Sequence, residues 1–473
     1  MGLKEECGVF GVFGCKDAAN LCYLGLYSLQ HRGQEGAGIV SLDKKNFFVV
    51  KDEGLVSEVF NPDNLSYLKG EDAIGHVRYS TTGSNDKNNI QPLYSKTSHG
   101  KYAIAHNGNL TNAFSIYKKL EAEGALFQST VDSEIILHLL SRAHGKTVVE
   151  RLQHTLKQIE GAYSLCILGE RCLIAARDPQ GFRPLVLGKK GDGYIVASET
   201  CALDLIEAKY IREVEPGEIV YIDKNGMQSH QIPVKTNPKF CVFEHIYFAR
   251  PDSFVYSECV HDVRKSFGKK LAQEYPVDAD IVMAIPDSGN SAALGYAEES
   301  GIPFDMGMTR NHYVGRTFIQ PKQKIRDFNV KVKLNPISSV LKGKKVVVVD
   351  DSIVRGTTSK KRVSAILAAG AKEVHLRISS PPIRNTCHFG IDTPKREKLI
   401  AAKKKVKEIM EYVGADSLGY LSIEGMLDVI QAYPESSFCT GCFNGKYPLK
   451  VKDKGKSQLE GRRIKLFASK NGK

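Results

Sequence analysis

At 473 residues, 42% of them hydrophobic and 25% charged, the chain is globular in composition and too long for one ordinary core, so two domains are expected. Its net charge of +13 does not mark a nucleic-acid binder, because no zinc-finger, RNP-type or aromatic-interleaved basic motif is present to read bases, and a basic field equally suits small polyanionic substrates. No stretch is long and apolar enough for a membrane span, and eleven scattered cysteines argue against a disulfide framework, leaving reduced thiols, metal ligands or a nucleophile.

The opening residues MGLKEEC lack the apolar core of a secretion signal, so a cytoplasmic location is expected. Residues 1–6 have the length of a short removable leader rather than of a folded element. Cutting between Glu6 and Cys7 would give Cys7 a free α-amino group, placed to take the proton of its own thiol without help from a histidine. The same cysteine also reads as an ordinary buried strand residue. From there, short apolar strands separated by Gly, Asn and Asp turns are expected at 7–13, 47–50, 73–77 and 102–105. Helices are expected over 110–123, with Thr111 and Asn112 near the cap, and over 132–142, where Ile135, Ile136, Leu139 and Leu140 share a face. This pattern describes a sheet sandwich flanked by helices.

Four motifs stand out in this half: CGVFG at Cys7, and three that read as loops at strand or helix ends, rich in glycine and hydrogen-bond donors, LQHRGQEGAG from Leu29, GHVRYSTTG from Gly75 and AHNGNL from Ala105. In order and spacing they resemble the glutamine amidotransferase domain of the N-terminal-nucleophile hydrolases, an α+β fold of αββα layers. The resemblance implies that Cys7 attacks the side-chain amide of glutamine, and that Asn107 and the backbone N–H of Gly108 form the oxyanion hole. It further implies that Arg78, Asp132 and Arg32 bind the amino-acid substrate. An oxyanion needs preplaced donors, and an amino acid needs a cation and an anion to be told from a simple amide.

A boundary is expected near IPVKTNPKF, at 233–238, which assigns 7–235 to the first domain, 236–450 to a second with a cysteine-bearing C-terminal segment, and 451–473 to a basic tail. Beyond it strands alternate with helices: ADIVMAIPDSGN from Ala279 with a helix over 292–299, VVVVDDSIVRGTTSKK at 346–361, and EVHLRISSPP from Glu373. Such alternation predicts an α/β domain with a parallel sheet and ligands at the carboxyl ends of its strands. Four consecutive valines predict a strand buried on both faces, and Val363, Ile366 and Leu367 at helical spacing make 355–359 the start of a helix whose free N–H groups cradle phosphate. Asp350 and Asp351 repel phosphate but suit ribose hydroxyls or a Mg²⁺ that phosphates share. The loop at 286–291 offers Asp287, Ser288 and Gly289 to a pyrophosphate and its metal.

The 346–361 stretch resembles the phosphoribosyl pyrophosphate (PRPP) motif of the type I phosphoribosyltransferases. That implies PRPP contacts from Asp350, Asp351, Ser352, Arg355, Gly356, Thr357 and Thr358, with Asp287 and Ser288, and Mg²⁺ held at Ser288, Asp350 and Asp351. Between the two loops, TRNHYVGRTFIQPKQK from Thr309 is a long charged stretch able to close over a polyanion and exclude water. From Cys7 to about Tyr447 the two halves together resemble the glutamine PRPP amidotransferases, which open purine synthesis by converting glutamine, PRPP and water to 5-phosphoribosylamine, pyrophosphate and glutamate. The resemblance also implies feedback by purine nucleotides and assembly as a homotetramer. One departure stands out: where the family pattern reads Lys-Asn-Arg-Tyr in the closing stretch, this chain has Arg310, Asn311, His312 and Tyr313.

Cys439 and Cys442 form a C-x-x-C, which alone fits zinc or a redox pair. With Cys241 and Cys387 the set resembles the structural [4Fe–4S] site of one branch of this family; zinc on the same thiols is the alternative. Cys15, Cys22, Cys166, Cys172, Cys201 and Cys259 are expected in cores. Two rivals remain: a glucosamine-6-phosphate synthase, which would lack VVVVDDSIVRGTT, and a PRPP-binding regulatory protein with dead chemistry, which would keep Cys7 unprocessed.

Overall fold

The computed structural model describes residues 7–79, 87–311 and 334–451. The leader at 1–6, the end of the GHVRYSTTG motif, His312 and Tyr313 with the rest of the closing stretch, and the tail beyond 451 lie outside the described residues.

Two antiparallel sheets stack in the first half. The seven-stranded one runs, edge to edge, Lys209–Glu213, Val186–Lys190, Gly193–Ala197, Gly8–Phe13, Asp72–Arg78, Gly36–Asp43, Asn46–Glu53. The six-stranded one runs Gly226–Gln231, Glu218–Asp223, Cys172–Arg177, Gly161–Gly169, Gly100–Leu110, Leu93–Thr97. Alternation along each strand sorts its side chains into three layers. Val9, Val40 and Ile74 meet Ala103, Ala105 and Cys166 between the sheets. Phe10, Val12 and Ile39 face outward against Cys22 and Leu26 of the helix Ala18–Ser28. On the far side Ile104, Leu165 and Ile167 pack on Ile136 and Leu140 of Ser133–Arg142 and Leu152 of Val148–Leu156. The expected αββα sandwich is therefore present.

Three local readings are corrected. Ala18–Ser28 is a helix that the sequence did not announce, because AANLCYLGLYS is apolar nearly all round and carries no clear period. AHNGNL is no loop: it lies inside the strand Gly100–Leu110, held by pairing with Gly161–Gly169. Asn112 does stand at the N-cap of Ala113–Ala122, yet its side chain does not cap; it accepts from the Glu160 N–H at 2.9 Å and donates to the Gln158 carbonyl.

The second half carries a four-stranded parallel sheet in the order Ile281–Ala284, Lys345–Asp350, Glu373–Ile378, Ser417–Tyr420. Val347 and Val349 enter one core, with Val263, Phe267 and Tyr296. Val346 and Val348 enter the other, with Val363, Ile366 and Ile409. Each such burial stabilises the domain by roughly 1.5–3 kcal/mol, which explains an unbroken valine run where a one-sided strand would alternate. The connection between halves is no free linker, since the N–H groups of Asn237, Lys239 and Cys241 donate to the carbonyls of Pro179, Gln180 and Phe182. Among the described residues no helix is long and apolar enough to cross a membrane.

Candidate active sites

The first site forms where the two sheets of the first half end together. Gly8 stands opposite Val77 in the antiparallel register, which carried one residue further puts Cys7 beside Arg78. Across the sandwich His76 Nε2 meets the His106 carbonyl at 3.2 Å, tying that strand to the one bearing Asn107 and Gly108. Gly33 lets the LQHRGQEGAG loop close on this edge, because a Cβ there would sit 2.7 Å from the Arg78 nitrogen. Gly108 has φ +148°, and a Cβ on it would come within 2.6 Å of the Ala162 carbonyl carbon, so only glycine keeps this strand paired with that backbone turn.

Asn107 is fully buried, and neither its Nδ2 nor its Oδ1 has a hydrogen-bond partner among the described residues. A buried amide left so costs about 1–3 kcal/mol, so its place calls for a ligand-directed role. Asp132, also buried, accepts from the Leu110 N–H at 2.9 Å and lies 3.7 Å from His106 Nδ1. Thus Cys7, Arg78, Asn107, Gly108 and Asp132 share one end of the sandwich. Arg32 lies there too, but not as a substrate ligand: its guanidinium is spent on Glu199, on Glu244 at 2.7 and 3.1 Å, and on the Cys7 carbonyl at 3.4 Å. Burial favours such pairing over a contact with a diffusible carboxylate, so the structure gives Arg32 a scaffolding place.

The second site is a cavity of about 740 Å³ above the carboxyl ends of Ile281–Ala284 and Lys345–Asp350. Asp287, Ser288, Asp351, Ser352, Arg355, Gly356, Thr357 and Thr358 all line it, as expected. The helix Thr357–Ala368 begins there, and its N-cap Gly356 has φ +75°, a conformation that favours glycine. The first-turn N–H groups therefore face the cavity as an anion cradle. Ser352 Oγ donates to Asp351 at 2.5 Å.

Asp350 differs from expectation. It does not line the cavity but sits behind it, 1% exposed, with Arg362 donating to it at 2.5 Å. Burial pushes its carboxyl up, to about 7; Arg362 works against that shift, and Asp351 adds to it. Arg310 closes one rim by donating to Asp287 at 2.5 Å. One lining residue, His31, comes from the first half.

The four cysteines expected as a cluster site converge. Parallel pairing sets Cys241 opposite Cys439, Cys442 lies in the turn-long helix Gly441–Asn444, and the Cys442 carbonyl accepts from Arg384 and Asn385, upstream of Cys387. Burial pushes the thiols of Cys241 and Cys439 up to about 12 and raises Cys387 and Cys442; each of the four also lies within charge range of at least one other. Among the described residues no group of three or more His, Cys, Asp or Glu is arranged to hold a single ion.

Sequence reasoning missed Glu199, Glu244, Arg183 and His31, whose buried pairing joins the two sites. His31 lies within the LQHRGQEGAG motif, but no local pattern marks the other three. They lie at element ends, and their partners are far away in sequence.

Residues 76–205 match the glutamine amidotransferase domain model, and residues 257–387 match the phosphoribosyl transferase domain model. Over 94% of its length the chain is 52% identical to amidophosphoribosyltransferase 1, chloroplastic, of Arabidopsis thaliana, covering 79% of that protein. It is 49% identical to the amidophosphoribosyltransferase of Bacillus subtilis, with 95% of each covered. The chain belongs to the amidophosphoribosyltransferase family. A solved structure of the B. subtilis glutamine PRPP amidotransferase, complexed with ADP and GMP, superposes with a TM-score of 0.90 at 48% identity, covering 95% of this chain and 99% of that one. The reaction is the family's, the amidation of PRPP by glutamine that opens purine synthesis. Neither the glucosamine-6-phosphate synthase reading nor the dead regulator is favoured.

Proposed function

We propose that the reaction is divided between the two sites, and that the buried, partnerless amide of Asn107 carries this reading, since it waits for an oxyanion at the sheet end where Cys7 lies. With residues 1–6 removed, the α-amine of Cys7 takes the thiol proton, and sulfur attacks the glutamine amide carbon. Nδ2 of Asn107 and the N–H of Gly108 hold the oxyanion, while Arg78 and Asp132 hold the α-carboxylate and α-amino group. Ammonia leaves, and water resolves the thioester to glutamate.

In the cavity, backbone amides at Gly356–Thr358 and the Arg355 side chain hold the 5′-phosphate, and Asp351 orients the ribose hydroxyls, with Asp350 behind it paired to Arg362. Ammonia attacks the anomeric carbon and pyrophosphate departs. Mg²⁺ at Ser288 and Asp351, which line the cavity, would supply charge neutralisation for that leaving group. The dry interior matters because ammonia is protonated in water at neutral pH.

The finer assignments belong to the same proposal: domains over 7–235 and 236–450 with a basic tail from 451, purine nucleotides as feedback inhibitors, a homotetramer, and a cytoplasmic enzyme. Cys241, Cys387, Cys439 and Cys442 would hold a structural [4Fe–4S] cluster. Supporting this, the four thiols gather, Cys442 lying within charge range of Cys241, Cys387 and Cys439. Cys7→Ala tests the division. Glutamine-dependent synthesis should vanish while ammonia at alkaline pH still converts PRPP. A mutant that keeps using glutamine, or a folded one that loses the ammonia reaction, refutes it.

A further inference from the structure

From Lys395 to Lys407 the chain displays seven lysines and arginines against one carboxylate, Glu397, and all seven cations are exposed. Among the described residues no ion pair holds Lys395, Lys398, Lys403, Lys404 or Lys407. On the same half Lys265 and Lys269 share Glu298, Lys270 meets Asp428 and Lys345 meets Asp278. The next acid along the chain, Glu408, turns its carboxylate back to the Lys405 N–H at 2.6 Å. Crowded like charges repel and weaken the compact state slightly, and a solvated lysine face serves solubility wherever it lies. The place of this one argues for more.

The segment is fastened to the phosphate cradle. Ile400 donates its N–H to the Val354 carbonyl at 2.9 Å, and the side chains of Ile400 and Tyr412 lie against Gly356. Val354 and Gly356 both line the 740 Å³ cavity. The N–H groups of Lys403 and Lys404 return to the Ile400 carbonyl, so these two lysines stand one turn from that contact. Lys360, on the helix that starts at the cradle, holds its Nζ 4.9 Å from the centre of the Tyr412 ring. The Debye length is about 8 Å at physiological ionic strength, so charges one turn away act on the cradle without touching what it holds. Inside the cavity Asp287 is paired with Arg310, and behind it Asp350 with Arg362, so an unbalanced positive field is best supplied from outside.

We propose that the 395–407 segment is an electrostatic guide that draws polyanionic PRPP towards the cradle, without contacting the bound substrate. The inference rests on reading the cavity as the PRPP site. The test follows ammonia-dependent phosphoribosylamine formation, with kcat/KM for PRPP measured in KCl from about 20 to about 500 mM. That ratio covers every step from free PRPP to the transition state, so the field shows there whether or not capture limits the rate. One variant carries Lys398→Gln, Lys403→Gln, Lys404→Gln and Lys407→Gln, and a second has arginine at the same four positions. A control removes as much charge at Lys69, Lys146, Lys157 and Lys224, exposed lysines on first-half segments that send no residue to the cavity.

The glutamine variant should lose roughly tenfold in kcat/KM at the lowest salt and rejoin wild type at the highest, with kcat within about twofold throughout. The arginine variant and the control should follow wild type. A glutamine variant equal to wild type at low salt overturns the proposal. So does a gap that persists at high salt, which marks direct contact, or an equal loss in the control, which marks the charge of the whole chain. An arginine variant that falls with the glutamine one overturns it too, since the charge is then not what acts. Asp351→Asn that keeps the wild-type kcat and KM for PRPP would instead overturn the reading of the cavity.

Discussion

Replacing Asn107 by leucine separates catalysis from stability in a direction that an ordinary core residue cannot. The Asn107 side chain is fully buried, with both polar atoms lacking partners among the described residues, so the folded protein bears most of the desolvation cost of one amide. That cost is about 1–3 kcal/mol, and leucine of nearly the same shape removes it. The stability of Asn107→Leu should therefore equal or exceed that of wild type, by up to ~2 kcal/mol once imperfect packing is allowed for. Loss of one oxyanion donor should meanwhile lower glutamine-dependent kcat by roughly 10²–10³-fold. Ammonia-dependent synthesis should hold, since that reaction does not involve Asn107. Urea unfolding and the two synthetic assays on one preparation give all three numbers. A variant that is clearly destabilised and still uses glutamine at the wild-type rate would show Asn107 to be a packing residue, and would refute the reasoning.

Asp350→Asn combined with Asp351→Asn should abolish phosphoribosylamine formation from either nitrogen source, and unchanged PRPP turnover would reduce the acidic pair to a turn. Anaerobically purified protein should be brown, with about four iron and four sulfide per chain because four thiolates suit one cubane; colourless protein carrying one zinc would decide for the alternative. Asp178 supplies a pH test. Burial pushes its carboxyl up to about 6, against backbone donors at Tyr163, Gln180 and Phe182. A carboxyl raised on folding stabilises the protonated fold below about pH 4, and that contribution is lost as pH rises through about 6. Asp178→Asn should therefore gain on wild type between pH 4 and 7, by up to ~3 kcal/mol in denaturant titrations; parallel pH profiles would contradict it.

What the sequence disclosed follows from how local the causes are. The Val346–Val349 run, the acid pair and the helix start are adjacent in the chain, so strand, turn and phosphate cradle could be read in one pass. The four motifs of the first half were legible for the same reason, although AHNGNL looked like a loop because its glycine and asparagines are strand-breaking by propensity and are held only by the neighbouring strand. The buried ion pairs of Arg32 were illegible. Arg32 and Glu199 stand 167 positions apart, and a lone Arg or Glu in sequence is a solvated residue until the fold buries it. Arg32 was misread for that reason: its motif was found, but its partners were not.

The phosphoribosyl cavity carries charge of both signs in matched pairs, and this bears on how it receives its substrate. Asp350 is joined to Arg362, and Asp287 to Arg310, each at 2.5 Å, while Arg362, Asp287 and Arg310 all face the cavity. PRPP with its metal is itself a mixture, with phosphate oxygens that seek guanidinium groups and hydroxyls or Mg²⁺ that seek carboxylates. The half-exposed Asp287–Arg310 pair can therefore be exchanged for two substrate contacts with little change in net charge, while Asp350 stays paired with Arg362 behind the cavity, so that no charge is left buried and alone. The same argument gives the Arg310 departure a physical meaning. Lysine in that place would be a point charge on a flexible stem, whereas arginine donates to Asp287 through one nitrogen of a planar fork that can offer a bidentate grip to a phosphate.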